Sequence, residues 1–284
     1  MSPFSLLFEE FLRERRYLKN ISPHTEAYYR QSWNSYIRRL GDDHLTKPNL
    51  IQWVIKMRED GVKPVSCNTF ISGMNAFCNW LYENNHLPEK LSVKKLKTEQ
   101  TVVKALEDKH LRAITSFKGS SKSEKRIWTI LMLLLDTGCR IDETLTLTRD
   151  RVDLDNLLIT VTGKGQKERI IPFSVELRKI LYRYLREHKF PLVFCTRDGG
   201  KLNYHNLIRD YRNMCEKLKI ERIGSFHRFR HTFALNYVRS GGGLFHLQKQ
   251  LGHSTLTMTR RYTELETKDL QETHAKTSIL GRLR

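Results

Sequence analysis

Between Val65 and Asn84 the apolar residues Phe70, Ile71, Met74, Phe77, Cys78 and Leu81 recur at steps of three and four, a spacing that only a helix gathers onto one side. The same period runs through Ser5–Lys19 and through Lys47–Asp60, where Gly61 ends it. It also runs through a segment opened by Ser22-Pro23 that carries Tyr28, Tyr29, Trp33, Tyr36 and Ile37. Serine before proline supplies an N-cap and a first-turn residue whose φ is already set. The first hundred residues therefore read as helices joined by short turns. After Pro88 the stretch EKLSVKKLKTEQTVVK loses the period and turns basic, as an extended strap does. It divides the chain into a helical region, residues 1–97, a linker at 98–105 and a second region, 106–284.

The second region is again helical in pattern, with one clear exception. LLITVTG and KERIIPF, residues 157–163 and 167–173, are β-branched runs facing each other across Lys164-Gly165-Gln166, which is a hairpin signal. A weaker one lies at residues 192–202, where Gly199 and Gly200 suit a tight turn. The expected class is mainly α with a small β-hairpin sheet, in two domains, each long enough to bury its own core.

Charge narrows the function. Lys and Arg total 50 against 31 Asp and Glu, a formal charge of +19 shared by both regions, and such self-repulsion is best tolerated in proteins that work against a polyanion. A membrane surface is the rival to nucleic acid, but the longest apolar run, Ile127–Leu135, is far short of the roughly 20 residues that span a bilayer. The N-terminal MSPFSLLFEEFLRERR lacks the basic-then-apolar order of a secretory signal, so a cytoplasmic, nucleoid-associated location is expected. Five cysteines, odd in number and without a C-x-x-C pair, read as reduced, buried thiols.

Breaking a phosphodiester without a metal requires cations arranged around the charge that builds on the non-bridging oxygens. Arginine suits this best, because its planar fork bonds two oxygens at once and stays charged. A nucleophile and a proton donor for the leaving alkoxide complete the set. Arg140 follows the glycine turn Thr137-Gly138-Cys139, with Glu143 three residues on as an orienting partner. Lys164 sits between Gly163 and Gly165 at the hairpin tip. His227 and Arg230, in SFHRFRHTFA, share a helix face. His253 and Tyr262 come from LGHSTLTMTRRYTELE, where Arg260 and Arg261 stand directly before the tyrosine. A phenol titrates near about 10, and adjacent positive charge favours the phenolate that forms on attack; the two arginines either do this or grip flanking phosphates.

In four blocks, TGCRIDE, TGKGQKERIIP, FHRFRHTFA and LGHSTLTMTRRYT, the sequence resembles the tyrosine recombinase or lambda-integrase family, in its Xer-like and mobile-element integrase branch. The resemblance extends over the whole chain, with the N-terminal helices similar to a core-binding DNA clamp. It implies a two-domain architecture, a helical core-binding domain followed by an α+β catalytic domain with a C-terminal oligomerisation tail. It also implies roles. Arg140, Arg230, His227 and His253 hold the scissile phosphate, Lys164 protonates the departing 5′ oxygen, and Tyr262 attacks phosphorus to give a 3′-phosphotyrosyl link, with no cofactor, ATP or metal. The implied partner is double-stranded DNA with paired recombination sites, bound by a homotetramer that is a monomer or weak oligomer without DNA. Asp142 and Phe229 depart from the pattern, where relatives carry a small residue and a leucine.

Competitors remain at several positions. His231 rivals His227 as the functional imidazole, and Lys167 rivals Lys164, although it reads as a strand residue. Tyr204, Tyr211 and Tyr237 lie in amphipathic contexts and read as packing residues. A metal site is disfavoured because arginine stands beside the candidate histidines, and cations next to a metal ion repel it. Further DNA contacts are expected from Arg30, Lys63, Arg209 and Arg212, where a solvated helix face is equally plausible. A type IB topoisomerase-like enzyme and a non-catalytic DNA-binding protein are the alternative functions.

Overall fold

The computed structural model describes residues 3–98, 105–163, 167–220 and 224–253, together with residues 255, 258, 259, 262 and 274. The chain divides into two compact units, Met1–Thr101 and Val102–Arg284. Among the described residues no helix is long and apolar enough to cross a membrane.

Among the described residues the first unit holds four helices, α1 (Pro3–Leu18), α2 (Pro23–Leu40), α3 (Lys47–Glu59) and α4 (Pro64–Glu83). Their ends are set by caps, of which the sequence reading named Ser22-Pro23. The Ser22 hydroxyl accepts from the Thr25 N–H, Pro23 opens α2, and Gly41, at φ 81°, donates to the Ile37 carbonyl. Thr46 does the same for α3 by accepting from the Asn49 N–H. These caps satisfy backbone groups at the helix ends that have no partner within the helix.

The core of this unit is aromatic. Phe77 of α4 stands edge-on to Phe8 and Trp33, with ring centroids 5.1 and 5.3 Å away, and is in further ring contact with Phe11 and Trp80. Beyond α4 the described part of the strap, residues 90–98, has no regular structure, and α4 holds it with side-chain amides. Asn75 exchanges two hydrogen bonds with the Val93 backbone, of 2.9 and 3.0 Å, and Asn68 two with Leu96, of 2.9 and 2.7 Å. Each asparagine thus serves the strap as a peptide group from a neighbouring strand would.

The second unit is built round α6 (Lys122–Thr137). This helix starts with a Ser121–Glu124 capping box and buries Ile127, Ile130, Leu131, Leu133 and Leu134. Apolar on nearly every side, it must be enclosed. Around it lie α5 (Asp108–Thr115), α7 (Ile141–Leu145), α8 (Val175–Leu185), α9 (Tyr204–Lys217), α10 (His227–Arg239) and α11 (Leu244–Leu251). The expected hairpin is present as β2 (Leu158–Thr162) and β3 (Glu168–Pro172), and β1 (Val152–Asp153), which the sequence reading did not foresee, adds a third antiparallel strand in the order β1-β2-β3. Ile159 pairs with Ile171 and Val161 with Arg169. Since residues i and i+2 share a face, Arg169 lies on the side of buried Ile171 while Ile170 is exposed. The weaker hairpin at 192–202 is reduced to a single bridge between Cys195 and Lys201.

All five cysteines are buried and unbridged. Burial pushes the Cys139 thiol up to about 11 and the Cys78 thiol up to about 12, which makes both inert as nucleophiles.

Replacing Phe77 by Ala is expected to lower stability by about 3–5 kcal/mol, because it leaves a cavity among four aromatic rings. The measurement is the urea midpoint at an unchanged m-value.

Candidate active site

The site is assembled from the ends of helices. α6 stops at Gly138, which adopts the left-handed conformation, φ 67°, and donates to the Leu134 carbonyl. A Cβ here would stand 2.4 Å from Phe233 Cδ1, so both the backbone angle and the space require glycine. The turn delivers Arg140 to the start of α7, and one turn later Glu143 points back at it. The Glu143 carboxylate accepts four hydrogen bonds, each of 2.8 Å. They come from the Arg140 backbone N–H and Nη1 and from Nη1 and Nη2 of Arg169. Its side chain is 4% exposed. Burial pushes this carboxyl up, but the bonds and charges of Arg169 and Arg140 outweigh it and hold the group below its ordinary value of 4.5.

The end of α11 is the second anchor. Its Gln248 and Lys249 carbonyls accept from the backbone of His253 and Gly252. The next three carbonyls receive one guanidinium each. Arg169 Nε donates to Gln250 at 2.8 Å, Arg230 Nη2 to Leu251 at 2.7 Å and Arg140 Nη2 to Gly252 at 3.2 Å. Arg230 Nη1 also donates to the Gly138 carbonyl at 2.7 Å. Both helix ends are negative poles that favour cations. Arg230 is 2% exposed. Burial, with the Arg140 charge adding to it, pulls its guanidinium down to about 10, so it stays charged at neutral pH.

Tyr262 is 1% exposed and packs with Ala234, Leu247 and Leu251. Its hydroxyl shares a 2.7 Å hydrogen bond with His231 Nδ1. The His253 ring lies nearly parallel to the phenol, 12° off and 6.4 Å between centroids, and His253 Nδ1 shares a 3.0 Å bond with Thr259 Oγ1. His227, the first residue of α10, is exposed and meets His231 edge-on at 4.9 Å.

The second unit thus brings together Arg140, Glu143, Arg230, His253 and Tyr262. Of the two imidazoles in FHRFRH, it is His231, the less favoured on sequence, that bonds the phenol. Arg169 was not foreseen. The signal was its place on the inward side of a strand otherwise lined by Ile171. Asp142, the departure from the family pattern, is exposed, and the carboxylate that pairs with Arg140 is that of Glu143. Lys164, Arg260 and Arg261 lie outside the described residues.

The four expected outer DNA contacts differ among themselves. Arg30 is held by carboxylates, 2.5 Å from Glu9 and 3.3 Å from Glu26, which offsets the charge a phosphate would meet. Lys63 at the start of α4, and Arg209 and Arg212 on α9, are exposed.

Glu143→Ala leaves two arginines beside a buried, empty position and is expected to cost about 3–5 kcal/mol. The folded carboxyl titrates below 4.5, so its contribution is complete above that pH and is lost as pH falls through the lower folded value. Acid-unfolding curves check this: the variant lacks that component.

Residues 104–269 match the phage integrase family, and residues 8–85 match the phage integrase N-terminal SAM-like domain. The chain is 27% identical over 275 residues to tyrosine recombinase XerC of Chromobacterium violaceum, covering 92% of each chain. It is also 27% identical over 290 residues to tyrosine recombinase XerD of Lacticaseibacillus casei, covering 97% of this chain and 99% of that one. Among solved structures, the Tn1549 transposon integrase in complex with a circular intermediate DNA superposes with a TM-score of 0.78 at 18% identity, over 96% of this chain and 99% of that one. With two helix ends presenting arginines beside a buried tyrosine, and with family matches over both units, the chain belongs to the phage integrase family.

Proposed function

We propose that this protein is a site-specific DNA recombinase that cuts and rejoins strands through Tyr262. The observation that carries the reading is the convergence of Arg140 and Arg230 on the end of α11, in the same unit as a phenol that is already hydrogen-bonded to an imidazole. Recombinase relatives spanning nearly the whole chain support it.

In this reading the Tyr262 oxygen attacks phosphorus and the bond to the 5′ oxygen breaks. Arg140 and Arg230 meet the charge growing on the non-bridging oxygens, with His227 and His253 adding hydrogen bonds. Their geometry is set before DNA arrives, so little reorganisation is needed as that charge develops. Lys164 gives the leaving 5′ oxygen its proton. The 3′-phosphotyrosyl ester keeps the energy of the broken bond, and a 5′ hydroxyl from a partner duplex releases Tyr262 by attacking it. Neither ATP nor a metal enters this sequence. Tyr262 is buried, so attack requires the phenol to be uncovered.

The partner is duplex DNA with paired sites, and four protomers act on two duplexes. The apolar residues Leu265, Leu270, Ile279 and Leu280 of the C-terminal segment join neighbouring protomers. Residues 1–97 clamp the duplex, 98–105 link the domains and 106–284 carry the chemistry. The exposed Lys63, Arg209, Arg212 and the pair Arg260 and Arg261 contact backbone phosphates, which makes binding steeply salt-dependent.

Nicked duplexes carrying inverted-repeat sites test the reading. A covalent protein–DNA adduct that survives denaturation is expected, with strands of two different duplexes joined. Arg140→Ala or Arg230→Ala slows adduct formation about 100- to 1,000-fold, and Tyr262→Phe abolishes it. An adduct in Tyr262→Phe, or loss of cleavage on chelation, overturns the reading. Rejoining confined to the same strand identifies a type IB topoisomerase instead.

A further inference from the structure

The mechanism above leaves one proton without a destination. Tyr262 enters the reaction as a phenol and ends as a phosphate ester, so its proton has to leave as the oxygen–phosphorus bond forms. Lys164 serves the other end of the reaction, and the arginines carry no acceptor.

We propose that His231 is the general base for Tyr262, taking the phenolic proton on Nδ1 during cleavage and returning it during rejoining. The inference rests on the reading of Tyr262 as nucleophile. His231 Nδ1 lies 2.7 Å from the phenolic oxygen, within the range for direct transfer. In the neutral imidazole with its hydrogen on Nε2, Nδ1 is the acceptor and the phenol the donor. The other two imidazoles have separate places. His253 lies over the phenol face with its Nδ1 bonded to Thr259. His227 is exposed one turn before His231 and meets its ring edge-on.

α10 also sets the geometry. Arg230 and His231 are consecutive, so one helix presents a buried guanidinium, anchored to Gly138 and Leu251, and the base beside it. The phosphate-binding cation and the proton acceptor are thereby fixed to the same rigid element.

The step balances. The Tyr262 oxygen–phosphorus bond forms, the phosphorus–O5′ bond breaks, the phenolic proton passes to His231 and the leaving oxygen takes one from Lys164. In rejoining, a 5′ hydroxyl attacks, its proton goes to Lys164, and the departing Tyr262 oxygen takes back the proton from His231.

His231→Asn keeps a hydrogen-bonding group near the Nδ1 position but cannot accept a proton. In the full-length protein on a nicked duplex, adduct formation by this variant is expected to slow by roughly 100-fold or more. A second substrate bypasses the base: an oligonucleotide ending in a 3′-(p-nitrophenyl) phosphate, whose nitrophenolate leaves without a proton when a 5′ hydroxyl attacks. In a Tyr262→Phe background, adding His231→Asn is expected to change joining of this substrate by less than about threefold, whereas adding Arg230→Ala abolishes joining. That joining also shows that the doubly substituted protein is folded.

The proposal is overturned if His231→Asn cleaves at the wild-type rate, since a group that only holds the phenol is replaceable by an amide. It is equally overturned if the variant loses both reactions by the same factor, which marks a structural or phosphate-binding role. Failure of the underlying reading is visible separately, as an adduct that persists in Tyr262→Phe alone or is absent from the wild type.

Discussion

A buried carboxylate shared by two arginines organises the catalytic unit. Glu143 accepts from Arg140 and Arg169 at once, and the same two guanidiniums reach on to Gly252 and Gln250 at the end of α11. One acidic side chain therefore ties the turn after α6, strand β3 and the end of α11 together. A buried carboxylate with four hydrogen bonds is a demanding arrangement, stable only while every partner is present.

Two helix ends supply what Glu143 alone does not. Three guanidiniums near one another repel, and a single carboxylate balances only part of that charge. The carbonyls of Gly138 and of residues 250–252 contribute the rest, as partial negative charges at the C-termini of α6 and α11. Glycine is needed at both ends, since Gly138 and Gly252 sit at φ 67° and 64°. A Cβ on Gly252 would lie 3.1 Å from the Arg169 guanidinium. Arg149 repeats the device elsewhere, donating to the Leu185 and His188 carbonyls at the end of α8.

Most helices were legible because their signals are local. The cap at Ser22-Pro23, the glycine after Asp60 and the three-and-four spacing of α4 act within a few residues. The hairpin was legible from two β-branched runs. β1 was not, because two residues carry no period and gain a partner only through β2. Among the candidate site residues, Arg140, Glu143, Arg230, His253 and Tyr262 stood out through residue type and motif. Arg169 did not, because its partners are 26 and 81 positions away. The contact between His231 and Tyr262 had the same obstacle, since it spans 31 positions.

The sequence by itself determined the helical spacing of the first region, the two β-branched runs of the hairpin, the excess of positive charge and the family to which the chain belongs. These are short-range or compositional properties, set by propensity, capping and charge count. Only the tertiary structure decided which carbonyls the arginines cap, which imidazole touches Tyr262 and that the phenol is buried. Those contacts join residues brought together by packing around α6, and hydrogen bonds over 2.7–3.2 Å depend on where separate elements come to rest.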